Sequence, residues 1–118
     1  MKFALMAILG PLLLGHPPPA NLRPARECRW VIGRLSAFNG TPSFRIWPRG
    51  TNRLLGVIGR SGGSEGPDIL PASVARMGPS FHRDLWGGFR VCPQTPARVG
   101  WMRMVIVTDG LSLSARER

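Results

Sequence analysis

The sequence predicts an all-β domain, a small barrel or sandwich of five to six antiparallel strands with one short helix. Three observations lead there. Fifteen glycines and twelve prolines punctuate the 118 residues, a density that suits short strands joined by turns and disfavours a helical bundle. Runs of alternating or continuously apolar residues recur between those punctuation points. One pair of runs flanks Asn39-Gly40, the strongest short hairpin signal, because both residues tolerate positive φ. A chain of this length holds one domain and one small core, and four Trp and five Phe supply enough bulky apolar surface to argue for folding over disorder.

The N-terminus, "MKFALMAILGPLLLGHPPPA", carries Lys2, an apolar run from Phe3 to Leu14, and then His16 and three prolines. It reads as a secretory signal peptide over residues 1–20, cleaved after Ala20, with Gly15 and Ala25 as competing sites. The apolar run is about a dozen residues, short of the roughly twenty needed to span a bilayer as a helix, so no transmembrane helix is expected in the mature chain. No cysteine directly follows the run to accept a lipid. A Pro/Arg linker is expected over 21–27, a β-domain over 28–114 and a C-terminal tail over 115–118.

The domain opens with "CRWVIGRLSAF", in which Val31, Leu35 and Ala37 alternate with Trp30, Ile32, Arg34 and Ser36. A two-residue loop would pair Leu35 with Phe44 and Arg34 with Arg45. A four-residue loop would pair Leu35 with Ile46 and Ser36 with Arg45. Either register gathers Val31, Leu35, Phe44 and Ile46 on one face and sends Arg34, Ser36, Arg45 and Trp47 to the other. The shorter loop would also oppose two like charges, which is unfavourable without an acid or anion nearby. Further on, "RLLGVIG" is apolar on both parities, as in a strand covered on both faces, and "SGGSEGPD" reads as a loop. "ILPASVARMG" fits a short helix with Pro71 in its first turn, Val74 and Met77 on one side and Gly78 as its stop. "WGGFRVC" and "WMRMVIVT" supply two more strands, and Asp109-Gly110 turns the chain into a last edge strand at "LSLS". An oligonucleotide-binding-type (OB) barrel is one form that fits.

"GRLSAFNGTPSFRIWPRGTNRLLGV", followed by "DILPASVAR" and "FRVCPQTP", resembles a recurrent pattern in small exported β-rich proteins of Gram-negative bacteria, a family with no assigned function. The resemblance covers about two thirds of the chain beyond residue 20. It implies a periplasmic or secreted β-domain and carries over no catalytic residues.

Sixteen basic residues against six acids give a net charge of +10, and all the basic residues except Lys2 are arginines. A positive field of that size favours anionic surfaces. The arginines are dispersed along the sequence and form no block, so a dedicated nucleic-acid patch is disfavoured. Arg, Pro, Gly and Ala share GC-rich codons, so genome composition competes with a partner as the source of the excess. The two cysteines, Cys28 and Cys92, sit at predicted strand ends and are expected to form one disulfide in an exported chain. No C-x-x-C supports redox or zinc chemistry. His82 and Asp84 could orient a serine for hydrolysis, but no G-x-S-x-G elbow is present, and no catalytic residue, metal site or cofactor is expected. What remains is binding. Trp47 lies between Arg45 and Arg49, and with Arg34 and Arg53 these form the candidate ligand surface for an anionic envelope component or a protein. The other readings are an OB-type module for single-stranded nucleic acid and a structural role for Trp47 and the arginine stems. Expression in a Gram-negative host is expected to yield a periplasmic chain beginning at Asn21. Its intact mass should gain two alkyl groups only after reduction, whereas a full-length cytosolic chain with free thiols would sink the export reading.

Overall fold

Five strands close into a ring. β1 (Arg29–Ala37), β2 (Phe44–Pro48), β3 (Leu55–Val57), β4 (Arg83–Pro93) and β5 (Arg103–Glu117) follow one another around it in the order β1-β2-β3-β5-β4, and β4 pairs back onto β1. The computed structural model describes residues 27–66 and 68–118. The expected signal peptide and all of the expected linker except Glu27 lie outside the described residues. A single helical turn, α1 (Ala72–Ala75), lies between β3 and β4. This strand order, with its helix in that connection, is the arrangement of an OB-type barrel. Among the described residues, no helix is long and apolar enough to cross a membrane.

One feature of the strand pairing departs from the expectation of antiparallel strands throughout. β3 and β5 pair in parallel, with Leu55 opposite Arg103 and Val57 opposite Val105. The chain between them holds α1 and the whole of β4, long enough for the crossover that parallel neighbours require. The first hairpin adopts the longer-loop register, Leu35 opposite Ile46 and Ser36 opposite Arg45, and the Phe38 N–H donates to the Ser43 carbonyl at 2.7 Å. Arg34 therefore faces Trp47 and not a second arginine, so the like-charge opposition does not arise.

Period-two geometry turns Leu35, Ile46, Leu85, Phe89 and Val91 into the barrel, where they meet Val57, Val105 and Val107. α1 covers one side of this core. Val74 is fully buried and Met77 packs beside it, as the helical spacing predicts, and the Gly78 N–H bonds the Ala75 carbonyl as the turn ends. β3 and the first half of β5 are buried on both faces, in line with their continuous apolar runs.

The C-terminal part of the chain differs from expectation. Asp109-Gly110 does not reverse the chain but runs through the middle of β5, opposite Arg90 and Phe89. The pair serves the helix instead. The Ser73 hydroxyl donates to the Asp109 carboxylate at 2.9 Å and accepts from the Gly110 N–H at 3.1 Å. A Cβ on Gly110 would lie 2.8 Å from both Val74 Cγ2 and Leu113 Cδ1, so the bare backbone is what lets α1 approach. "LSLS" continues β5 through a shift of register opposite Gly87. Residues 115–118, expected as a tail, are the end of β5 and Arg118. The Arg118 N–H bonds the His82 carbonyl, and its guanidinium bonds the Ala37 carbonyl and pairs with Asp84.

Cys28 and Cys92 extend the β1–β4 ladder by one position beyond the Arg29–Val91 pair, and they are joined as a disulfide with Cα atoms 4.0 Å apart. The bridge closes a segment of 64 residues. On the chain-entropy account it stabilises the fold by about 4 kcal/mol. Urea denaturation with and without a reductant should show a loss of that order, and an unchanged midpoint would mean that the ladder alone holds the end of β1.

Candidate functional site

None of the four tryptophans is in the core. Aliphatic side chains and Phe89 fill the barrel, and the tryptophans lie on its outside. Trp30 is 46% and Trp101 67% exposed, while Trp47 and Trp86 are half-buried. Large apolar groups left at a surface are the informative exceptions to the burial rule.

The even-numbered positions of β1 point outward and organise one side of the barrel. Arg34 is flanked in register by Trp47 of β2 and Trp86 of β4. Its guanidinium carbon lies 5.5 Å from the Trp47 ring centre and 5.7 Å from that of Trp86, and the two rings meet edge to face at 6.1 Å. The Trp47 indole N–H is tied to the Thr51 carbonyl at 2.6 Å, which fixes that ring. From β5, the Arg116 guanidinium also stacks on Trp86, at 5.3 Å. Such cation–π contacts hold the guanidinium plane while leaving its charge uncompensated. Beside this row, Ile32, Arg49, Trp86, Ser112, Ser114 and Arg116 border an open depression of about 470 Å³. Ile32, 58% exposed, adds an apolar flank with Trp30 and Leu111. Ser36, expected in solvent on the same face, is buried.

The electrostatics of the row are one-sided. Asp84 faces Arg116 across the β4–β5 ladder, yet its carboxylate pairs with Arg118 at 3.2 Å. Among the described residues, Arg34, Arg49 and Arg116 have no carboxylate partner, and the buried Arg34 Nε makes no hydrogen bond. A planar guanidinium held in this way, as in Arg34 and Arg116, is suited in general to recognising an anion.

The five residues expected to form the ligand surface are divided among three places. Arg34, Trp47 and Arg49 belong to the outer-face row. Arg45 turns to the hairpin end, where its Nε donates to the Pro42 carbonyl at 3.0 Å and its guanidinium stacks on Phe38. Arg53 lines a separate cavity with Arg29, Arg98, Arg103 and Trp101. Trp86 and Arg116 are the two members of the row that the hairpin alone could not reveal. Trp86 reaches Arg34 only through the β1–β4 pairing, and Arg116 falls in the segment expected to be a tail.

Among the described residues, no hydrogen bonds join His82, Asp84 and a serine as a triad. The Ser80 hydroxyl accepts from the His82 backbone N–H at 3.1 Å, Asp84 is engaged by Arg118, and the exposed His82 imidazole bonds neither. No three His, Cys, Asp or Glu side chains gather among the described residues as a metal-binding group. The glycine loop closes on itself, the Gly59 N–H bonding the Gly63 carbonyl and the Gly62 N–H bonding that of Gly59. Comparisons with family models, with curated proteins and with solved structures return no match.

The stack itself is measurable. A double-mutant cycle of Arg34→Ala and Trp86→Ala, followed by urea denaturation, should give a coupling of about 1 kcal/mol. Strictly additive losses would mean that the guanidinium and the ring are neighbours without interaction.

Proposed function

We propose that this chain is an exported, non-catalytic binding module, periplasmic or secreted, that holds an anionic component of the cell envelope on the outer face of β1, β2, β4 and β5. The observation that carries the reading is the row Arg34, Arg49 and Arg116, which lacks any carboxylate partner among the described residues and in which Trp47 and Trp86 hold Arg34 and Trp86 also holds Arg116. An isolated guanidinium on a mobile stem would lose conformational entropy on binding. One already stacked between rings loses less, so the anion gains more from each contact. The flank of Trp30, Ile32 and Leu111 sits beside the charged row and suits an amphiphilic anion, such as a phosphorylated lipid or glycolipid headgroup with apolar substance next to it. The disulfide is compatible with an oxidising compartment.

Single-stranded nucleic acid is the second reading, favoured by the OB-type strand order and by the exposed Trp30. The half-buried tryptophans favour it less, because their rings carry the protein's own guanidinium groups where a base would stack. Tryptophan fluorescence titrations of the disulfide-bonded protein would separate the two. Vesicles doped with a phosphorylated lipid should bind, and Arg116→Ala with Arg49→Ala should weaken binding about tenfold or more. Stronger binding of a single-stranded oligonucleotide, with affinity falling steeply as salt rises, would establish the second reading in its place.

A further inference from the structure

We propose a second, independent anion site in the cavity at the end of the barrel where β1 and β5 begin, built to take a single compact dianion of the phosphate-monoester type. Four arginines from separate parts of the chain border it. Arg29 opens β1, Arg53 lies in the β2–β3 connection, Arg98 in the β4–β5 connection, and Arg103 opens β5, with Thr51 and Trp101 beside them. No Asp or Glu lines the cavity, and Arg29, Arg53 and Arg98 have no ion pair among the described residues. Gathering like charges is unfavourable unless something of opposite sign shares the space.

Neutral groups hold two of the four guanidinium groups, and the disulfide anchors the backbone beside a third. Arg29 directly follows Cys28, whose disulfide to Cys92 ties the start of β1 to the end of β4. The Arg103 Nε donates to the Thr95 carbonyl at 2.8 Å, which leaves its two terminal nitrogens for a ligand. The Arg98 guanidinium stacks on Trp101 at 4.8 Å. These contacts orient donors and neutralise none of the charge, the arrangement expected of a preformed oxyanion site.

Size selects the ligand. The cavity encloses about 150 Å³. A cavity of roughly that volume holds a molecule of about six heavy atoms, such as benzene. A phosphate group fits, and a substituted sugar ring does not. The cavity adjoins an open depression of about 430 Å³ that shares Arg53, Arg98 and Trp101 and continues to Asn52 and Val99. That opening leaves room for the body of a larger phosphate-bearing molecule, so the ligand is either free phosphate or a terminal phosphate group.

The site does not rest on the outer-face reading, and its test is separate. Isothermal titration of the disulfide-bonded protein at constant ionic strength would use inorganic phosphate in one arm and a hexose 1-phosphate in the other. Saturable binding is expected in at least one arm. Arg53→Ala and Arg98→Ala should each weaken it about tenfold. Both residues are exposed and lie in connections, so the variants keep the barrel, as circular dichroism would verify. Arg76→Ala, which removes an equal charge from the exposed end of the helical turn, should leave binding unchanged. Tighter binding of the hexose phosphate identifies a terminal phosphate as the ligand, and binding no tighter than that of phosphate identifies the free ion. Absence of saturable heat in both arms at millimolar ligand would overturn the site. So would losses in Arg76→Ala equal to those in the cavity variants, which would reduce the effect to net charge.

Discussion

Everything on the outer face depends on the register of β1. This strand pairs along both edges, with Leu35 opposite Ile46 on one side and Leu85 on the other. All three are fully buried, so a slip by one residue would carry Leu35 into solvent and drive Arg34 into the core. Two further constraints hold the same register. A Cβ on Gly33 would collide with the Trp47 carbonyl oxygen, so β1 and β2 approach there as only glycine allows. At the start of the strand the Cys28–Cys92 bridge ties β1 to β4 covalently. With the register held in this way, Arg34 has no course except between Trp47 and Trp86.

What could be read in the sequence was mostly local. Parity alone separated Leu35 and Ile46 from Arg34, Arg45 and Trp47, and it listed the observed hairpin register among two choices. The short helix with Val74 and Met77 inward followed from spacing, and the cysteine pair followed from its place at two strand ends. Non-local consequences were not legible. Asp109-Gly110 has the composition of a turn, but the helix needed a hydroxyl partner and a side-chain-free approach on β5, and that tertiary demand overrode the local preference. Trp47 and Trp86 are 39 positions apart by their residue numbers and meet only because the ring sets β2 and β4 on either side of β1. The tryptophans also illustrate a one-way rule. Bulk and apolarity permit burial, but a barrel this narrow is filled by Leu, Ile, Val and one Phe.

The structure bears on how to weigh the arginine excess. Codon composition can enrich a chain in arginine, but it does not choose what each guanidinium touches. Among the described residues, Arg83 pairs with Glu117 and Arg118 with Asp84. Arg34, Arg98 and Arg116 are held by tryptophan rings, Arg45 by Phe38 and a carbonyl, Arg103 by a carbonyl and Arg90 by the Thr108 hydroxyl. Neutral partners of this kind fix direction without cancelling charge. Charges dispersed along the sequence are thereby collected into two oriented groups, one across the strands and one at the barrel end. Self-repulsion within each group is a cost to the fold. An anion bound as proposed would offset that cost and satisfy the donors together. The same geometry that makes the free surface unfavourable is therefore what would make its affinity selective for anions.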